Sequence, residues 1–173
     1  VLAKPVPLPE IRSYPLKKPA VSADSRFKVY ESGSQVYSVA VRNKTAFVAN
    51  GAGGLHFVDI PVMKKIGEYK ADGVVQDVKI LGNRLFLAEG QGGLSIWDIS
   101  ADSKLTLKGR YEVKGSSVKQ VVVVPDGKYA LLHVGSTSFQ IVDISNPAKI
   151  ELVLKDSRFG LLYGYQISEG IID

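Results

Sequence analysis

The 173-residue chain contains no cysteine. Disulfides, thiolate catalysis and cysteine-based zinc sites are therefore excluded. The compartment is not fixed by this, because secreted β-proteins often lack disulfides. Histidine is nearly absent as well. His56 and His133 are the two present, and neither has a second histidine at metal-ligand spacing. No metal and no cofactor are expected. No run of about eighteen apolar residues occurs, so no membrane-spanning helix is expected. The formal charge is +5, but lysine and arginine are scattered. No recognition motif or aromatic–basic stripe accompanies them, which disfavours nucleic acid. General solubility or attraction to an acidic polymer remains. The first residue is valine, so a processed or longer native protein is expected, with any signal peptide out of view.

What is present divides unevenly. Residues 1–25 hold five of the eight prolines. Proline removes ladder donors and favours extended polyproline segments, so this stretch reads as an extended leader. From residue 26 to 173 the pattern changes to short apolar strands divided by Gly, Asn, Asp and Lys turns. No helix is readable.

Three segments then align: "SVAVRNKTAFVANGAGGLHFVDIP" from Ser38, "DVKILGNRLFLAEGQGGLSIWDIS" from Asp77, and "QVVVVPDGKYALLHVGSTSFQIVDIS" from Gln120. The shared Asp59, Asp98 and Asp143 are 39 and 45 residues apart. A period of this size with four short strands inside it fits a β-propeller blade. The expected fold is all-β, with four-stranded antiparallel blades at about 38–69, 77–111 and 120–155. Single strands of flanking blades are expected at 26–31, as an outermost strand, and at 163–168, as an innermost one. Three full blades fall short of the usual four to eight. A larger ring is therefore expected, completed by a second chain or by the remainder of a longer protein.

The segments "GGLHFVDI", "GGLSIWDIS" and "SFQIVDISNP", with the upstream "YSVAVRNKTAFVANG", resemble the LVIVD repeat of bacterial and archaeal β-propeller proteins. The resemblance covers roughly Gln35 to Lys155. The first copy departs from it with "IPVMKK", and the third has Thr137 and Ser138 in place of the Gly-Gly pair. The resemblance implies a surface-exposed or secreted propeller, placed outside the cell, on its surface or in the periplasm. It implies no single activity.

The conspicuous motifs read as structural. Asp59, Asp98 and Asp143 occupy one repeat position, so a radial array keeps them apart. Each is expected to accept backbone N–H groups and fix the turn after its strand. The glycines at 51, 53, 54, 90, 92 and 93 lack the following helix that a phosphate cradle needs, and read as tight turns. Trp97 fills the slot of Val58 and Val142 and is expected in the core.

Function is expected on the edge built by the loops between blades and by the turns between second and third strands. There Tyr37, Gln76 and Lys119 precede the innermost strands, and Asn50, Glu89 and His133 lie near second-strand ends. They vary in chemistry on a repeating frame, which marks them as the candidate ligand-binding residues. His133 replaces an alanine of the other copies, so it is also the candidate for acid–base work. With no catalytic triad in view, the favoured reading is a non-catalytic scaffold binding a protein or an acidic polysaccharide. The alternative is part of a polysaccharide lyase or glycoside hydrolase acting on an acidic polysaccharide, using Glu89, His133 and Tyr37. A purely structural surface-layer or adhesion module is a third reading.

Overall fold

The computed structural model of the chain describes residues 28–156. The leader over 1–25 and the strand at 163–168 lie outside them. The described residues form three antiparallel sheets and no helix. The first blade is β1 (Ser38–Arg42), β2 (Thr45–Ala49), β3 (Leu55–Asp59) and β4 (Lys64–Tyr69). The second is β5 (Asp77–Leu81), β6 (Arg84–Ala88), β7 (Leu94–Ile99) and β8 (Leu105–Tyr111). The third is β9 (Val118–Val123), β10 (Tyr129–Val134), β11 (Ser138–Asp143) and β12 (Glu151–Asp156). Strand order in each sheet follows chain order. Of the outermost strand expected at 26–31, residues 28–31 are described, and they form no strand. An outermost strand pairs with the third strand of its own blade, and among the described residues no strand pairs with 28–31.

The blades stack through apolar faces. Phe47, Ala49 and Leu55 of the first blade pack with Val78, Leu85, Leu87 and Trp97 of the second. Phe86, Ala88, Leu94 and Ile96, from the other face of the second blade, pack with Val121, Ala130, Leu132 and Val142 of the third. Both faces of β6 are thus covered, which accounts for its unbroken apolar run. Trp97 is core, as expected.

The third and fourth strands slip register at one repeated place, between Phe57 and Val58, Ile96 and Trp97, and Ile141 and Val142. Such bulges bend and twist the outer strand. The two residues added to the third copy form the turn between β9 and β10. Gly127 sits there at a φ of +70°, and Asp126 Oδ1 accepts the Lys128 N–H at 2.8 Å.

The repeated aspartates diverge. Asp143 Oδ1 accepts the Ser145 N–H at 2.8 Å, and Asp59 Oδ1 accepts that of Val62 at 3.2 Å. Asp98 instead pairs with Lys108 at 3.4 Å. In the second blade Ser100 Oγ holds the turn, accepting the Lys104 N–H at 3.0 Å.

Candidate functional site

The rim begins as backbone geometry. In the first two blades the turn between second and third strands closes on itself, with Asn50 N–H on Gly54 O at 2.9 Å and Glu89 N–H on Gly93 O at 2.8 Å. The glycine after each then bridges to the chain entering the next blade. Gly51 and Val75 exchange two backbone bonds at 3.1 and 3.0 Å, and Gly90 and Val118 at 3.0 and 2.8 Å. The rim is therefore stitched blade to blade without any side chain.

The six candidate residues separate on this frame. Tyr37 is exposed, and its hydroxyl donates to Gln35 Oε1 at 3.2 Å. Gln76 and Lys119 are half-buried. Asn50, Glu89 and His133 are buried. The structure does not bring the six together in one cleft.

Glu89 is fully enclosed, at 0% exposure. Its carboxylate accepts from Ser95 Oγ, from Arg110 Nη1 at 2.8 Å and from the Tyr69 hydroxyl at 3.5 Å. Arg110 Nη2 also donates to the Tyr69 oxygen, and Trp97 Nε1 donates to Ser95 Oγ at 2.7 Å. Tyr69 lies 4.7 Å from the Trp97 ring at a tilt of 60°. Burial, followed by the Glu89 charge, pushes the Tyr69 phenol up. Burial alone would lower Arg110, but its hydrogen bond to Glu89 and that charge outweigh it, and the net shift is upward. Tyr69 thereby keeps its proton and Arg110 its charge near neutrality. This network ties Tyr69 of the first blade to the second.

The same tie recurs at other joints with different partners. Tyr111, closing β8, donates to Gln140 Oε1 of the third blade at 2.8 Å. Tyr30 meets His56 Nδ1 of the first blade at 2.6 Å. His56, Ser95 and Gln140 share one position in the third strand of each copy. His56 is buried, with Asn50 Nδ2 3.3 Å from its Nε2 and Glu68 Oε2 at 4.0 Å. Burial, then Lys65, hold its pKa below the ordinary histidine value against the pull of Glu68. The unfolded chain takes up this proton below about pH 6.5, and the folded chain only at lower pH. Stability is therefore expected to fall as pH drops from about 6.5 through the depressed value. His56→Gln borrows the residue of the third blade, keeps a partner for Tyr30 and removes the titration. Its urea-unfolding stability is expected to be flatter between about pH 7 and pH 5 than that of the parent chain. An unchanged slope would assign the pH dependence elsewhere.

The rim also carries a pocket of about 490 Å³, lined by Gln91 and residues 112–117. Its wall is the segment between Tyr111 and Val118, one residue longer than its counterpart between Tyr69 and Val75. Glu112, Lys114, Ser116 and Ser117 give it both charges and two hydroxyls. None of the six expected residues lines it. Among the described residues no group of three or more His, Asp or Glu side chains could hold a metal ion.

The LVIVD repeat model matches residues 33–61, 72–113 and 117–155. The chain belongs to the LVIVD-repeat family. No curated protein matches it. Solved β-propellers share its fold at low identity. The Cps50 (Swd1) propeller domain of Myceliophteria thermophila is 14% identical with a TM-score of 0.62, over 72% of this chain and 44% of that one. BamB from Moraxella catarrhalis is 16% identical with a TM-score of 0.55, over 77% of this chain and 40% of that one. The computationally designed Ika4 protein is 13% identical with a TM-score of 0.56, over 72% of this chain and 74% of that one. The chain thus spans less than half the length of the two natural propellers.

Within this LVIVD-repeat propeller, two groups of residues escaped the sequence reading. The first is the set around Glu89, namely Tyr69, Ser95 and Arg110. A readable signal existed, because Tyr30, Tyr69 and Tyr111 recur at 39 and 42 residues. The second is the pocket loop, which offered no signal beyond its extra residue.

Proposed function

We propose that this LVIVD-repeat chain is a non-catalytic binding scaffold that takes its ligand on the rim. The observation carrying this reading is the pocket at residues 112–117, set on joints that otherwise repeat. The stacked blades supply rigidity, and the loop that breaks the repeat supplies a polar recess. Its ligand is a protein segment or an acidic polysaccharide, with Lys114 as the cationic contact. The resemblance to secreted propellers supports an extracellular, cell-surface or periplasmic location. A second chain, or further blades of a longer protein, is the partner proposed for the open blade faces. An enzyme would need free catalytic groups. Glu89 is engaged by Ser95 and Arg110, and neither it nor His133 lines the pocket, which favours the scaffold.

The test is titration of the purified chain with uronic-acid oligosaccharides and, separately, capture from a surface-protein extract. Lys114→Glu is expected to weaken saccharide binding at least about tenfold, or to lose the captured protein, with unfolding unchanged. Binding that is indifferent to Lys114→Glu and Gln91→Ala would remove the pocket from the account. Turnover of the oligosaccharides, abolished by changing His133, would replace the scaffold with the enzyme.

A further inference from the structure

We infer that the cleft between the outer strands of the first and second blades is a peptide-binding groove, which seats the backbone of a proline-containing segment of a partner protein over Gly67. The groove shares no lining residue with the rim pocket, and the inference does not rest on the ligand proposed there. Its volume is about 530 Å³, within the range of ligand-sized clefts. Phe57, Ile66 and Tyr69 line it from the first blade, and Trp97 and Leu105 from the second. Two contacts cross the joint beside it. Thr45 Oγ1 and Ser103 Oγ lie 3.2 Å apart, and the Tyr69 and Trp97 ring centres 4.7 Å apart.

The joint between the second and third blades shows how such a place is filled. A Cβ on Gly109 would collide with the Pro147 carbonyl and touch the Ala148 nitrogen. The peptide group joining Pro147 to Ala148 therefore lies directly on the glycine, an approach that a strand glycine permits. Gly67 holds the same place, opposite Phe57 as Gly109 is opposite Ile96. The three atoms nearest a Cβ on Gly67 all belong to the Phe57 ring, out to 3.7 Å. No backbone of the second blade comes that close. The sequence accounts for the difference. Asp102 stands where the third copy has Pro147. It accepts from Ser100 Oγ and pairs with Lys104 at 2.7 Å, which folds this turn on itself. Phe57 and Trp97, in the places of Ile96 and Val142, also put larger rings between the two outer edges.

The lining decides the occupant. The Tyr69 hydroxyl and Trp97 Nε1 are engaged inward, on Glu89 and Ser95, so both rings offer carbon to the cleft. Glu68 and Asp102 at its edge each hold a lysine at 2.7 Å. An acidic sugar would meet two carboxylates there, whereas a neutral peptide meets no such repulsion. Aromatic-lined grooves favour proline, whose preset backbone loses little freedom on binding. Ser103 and Lys104, also at the edge, are donors suited to the peptide's carbonyls.

The protein supplies both probe and reporter. A synthetic peptide of residues 143–150 presents the Asn-Pro-Ala turn that seats on Gly109. Trp97 is the only tryptophan and lines the cleft, so its emission reports on the groove directly. Titrating the full 173-residue chain with the peptide is expected to give a saturable change in that emission, with amide shifts at Gly67 and Leu105 by NMR. Gly67→Ala puts a methyl group where the peptide would lie, and should weaken binding at least about tenfold. Ile66 is 56% exposed, so Ile66→Asp leaves the core intact, and it should weaken binding severalfold. Val153→Lys, on the third blade, should leave it unchanged. Pro147→Gly in the peptide should weaken binding severalfold. No saturable change overturns the inference, as does binding that is indifferent to Gly67→Ala and Ile66→Asp or to loss of the peptide's proline. Binding lost with Lys114→Glu but kept with Gly67→Ala would move the peptide to the rim pocket, and overturns the groove while leaving the rim reading in place.

Discussion

Glu89→Ala is expected to destabilise the folded chain by about 3 kcal/mol, the lower end of the cost of breaking a buried ion pair. The carboxylate is fully enclosed, whereas the side chain of Arg110 keeps 25% of its exposure. That residual access to water is why the lower end applies. Removing Glu89 leaves Arg110 facing a cavity with the Tyr69 oxygen and, at 3.8 Å, the exposed Asp72 carboxylate as its remaining partners. Ser95 loses its acceptor while still receiving the Trp97 N–H, so the defect spreads into the joint between the first two blades. Glu89→Gln keeps the shape and an acceptor oxygen, and is expected to cost roughly half as much, since its bond to Arg110 is no longer between two charges. Replacing both Glu89 and Arg110 by leucine should recover part of the loss, because no charge is then left buried. Urea unfolding of the four proteins gives the order. A midpoint for Glu89→Ala that matches the parent would show that water reaches the network, and would sink this account.

The network also shows where the sequence stops being informative. The inner strands are legible because their signal is local. The ranges 38–42, 45–49 and 77–81 follow from apolar runs between turns, and the structure keeps them. The outer strands β4 and β12 begin before their first apolar residue. Lys64 and Lys65 extend β4 by pairing through their backbones with Asp59 and Val58, and a solvent-facing strand end needs no apolar residue. Burial at the rim is harder still. Asn50 and Glu89 follow second strands at a loop edge, where polar residues are expected to be solvated. Their partners come from outside their own blade: Asn50 Nδ2 donates to Ser32 O at 3.0 Å, and Tyr69 of the first blade reaches Glu89 of the second. The alternation of a strand says which residues share a face, but not what the neighbouring blade presents there. The aspartates carry the same lesson. Asp98 and Asp143 are identical in frame, yet one pairs with a lysine and the other caps a turn. In the second blade Ser100 holds the turn in the aspartate's stead.

Gly109→Ala is expected to cost at least about 3 kcal/mol, the upper end of ordinary overpacking. Gly109 lies in β8 opposite Ile96, beside the register slip. A Cβ placed there would sit 1.6 Å from the Pro147 carbonyl oxygen and 2.6 Å from its carbon. Comfortable contact between such atoms begins at about 3.5 Å, so something must move by well over an ångström. The obstacle is backbone, which cannot rotate aside. It belongs to the turn after β11, held by Ser145 N–H on Asp143 Oδ1 at 2.8 Å and by Lys149 N–H on Asn146 O at 2.9 Å. Either this turn opens or β8 withdraws from the third blade, loosening a core that includes Leu94, Ile96 and Ile144. Gly67 holds the matching place in β4 and provides the control. Its added Cβ would meet a Phe57 ring carbon at 2.8 Å, and a ring can tilt. Gly67→Ala is therefore expected to cost only about 1 kcal/mol. Unfolding midpoints for the two variants, with amide shifts of Ser145 and Lys149 read by NMR, test whether the outer strand is locked to the next blade's backbone. Equal and small costs would mean that the turn yields freely and that the joint between the second and third blades is held by its apolar core alone.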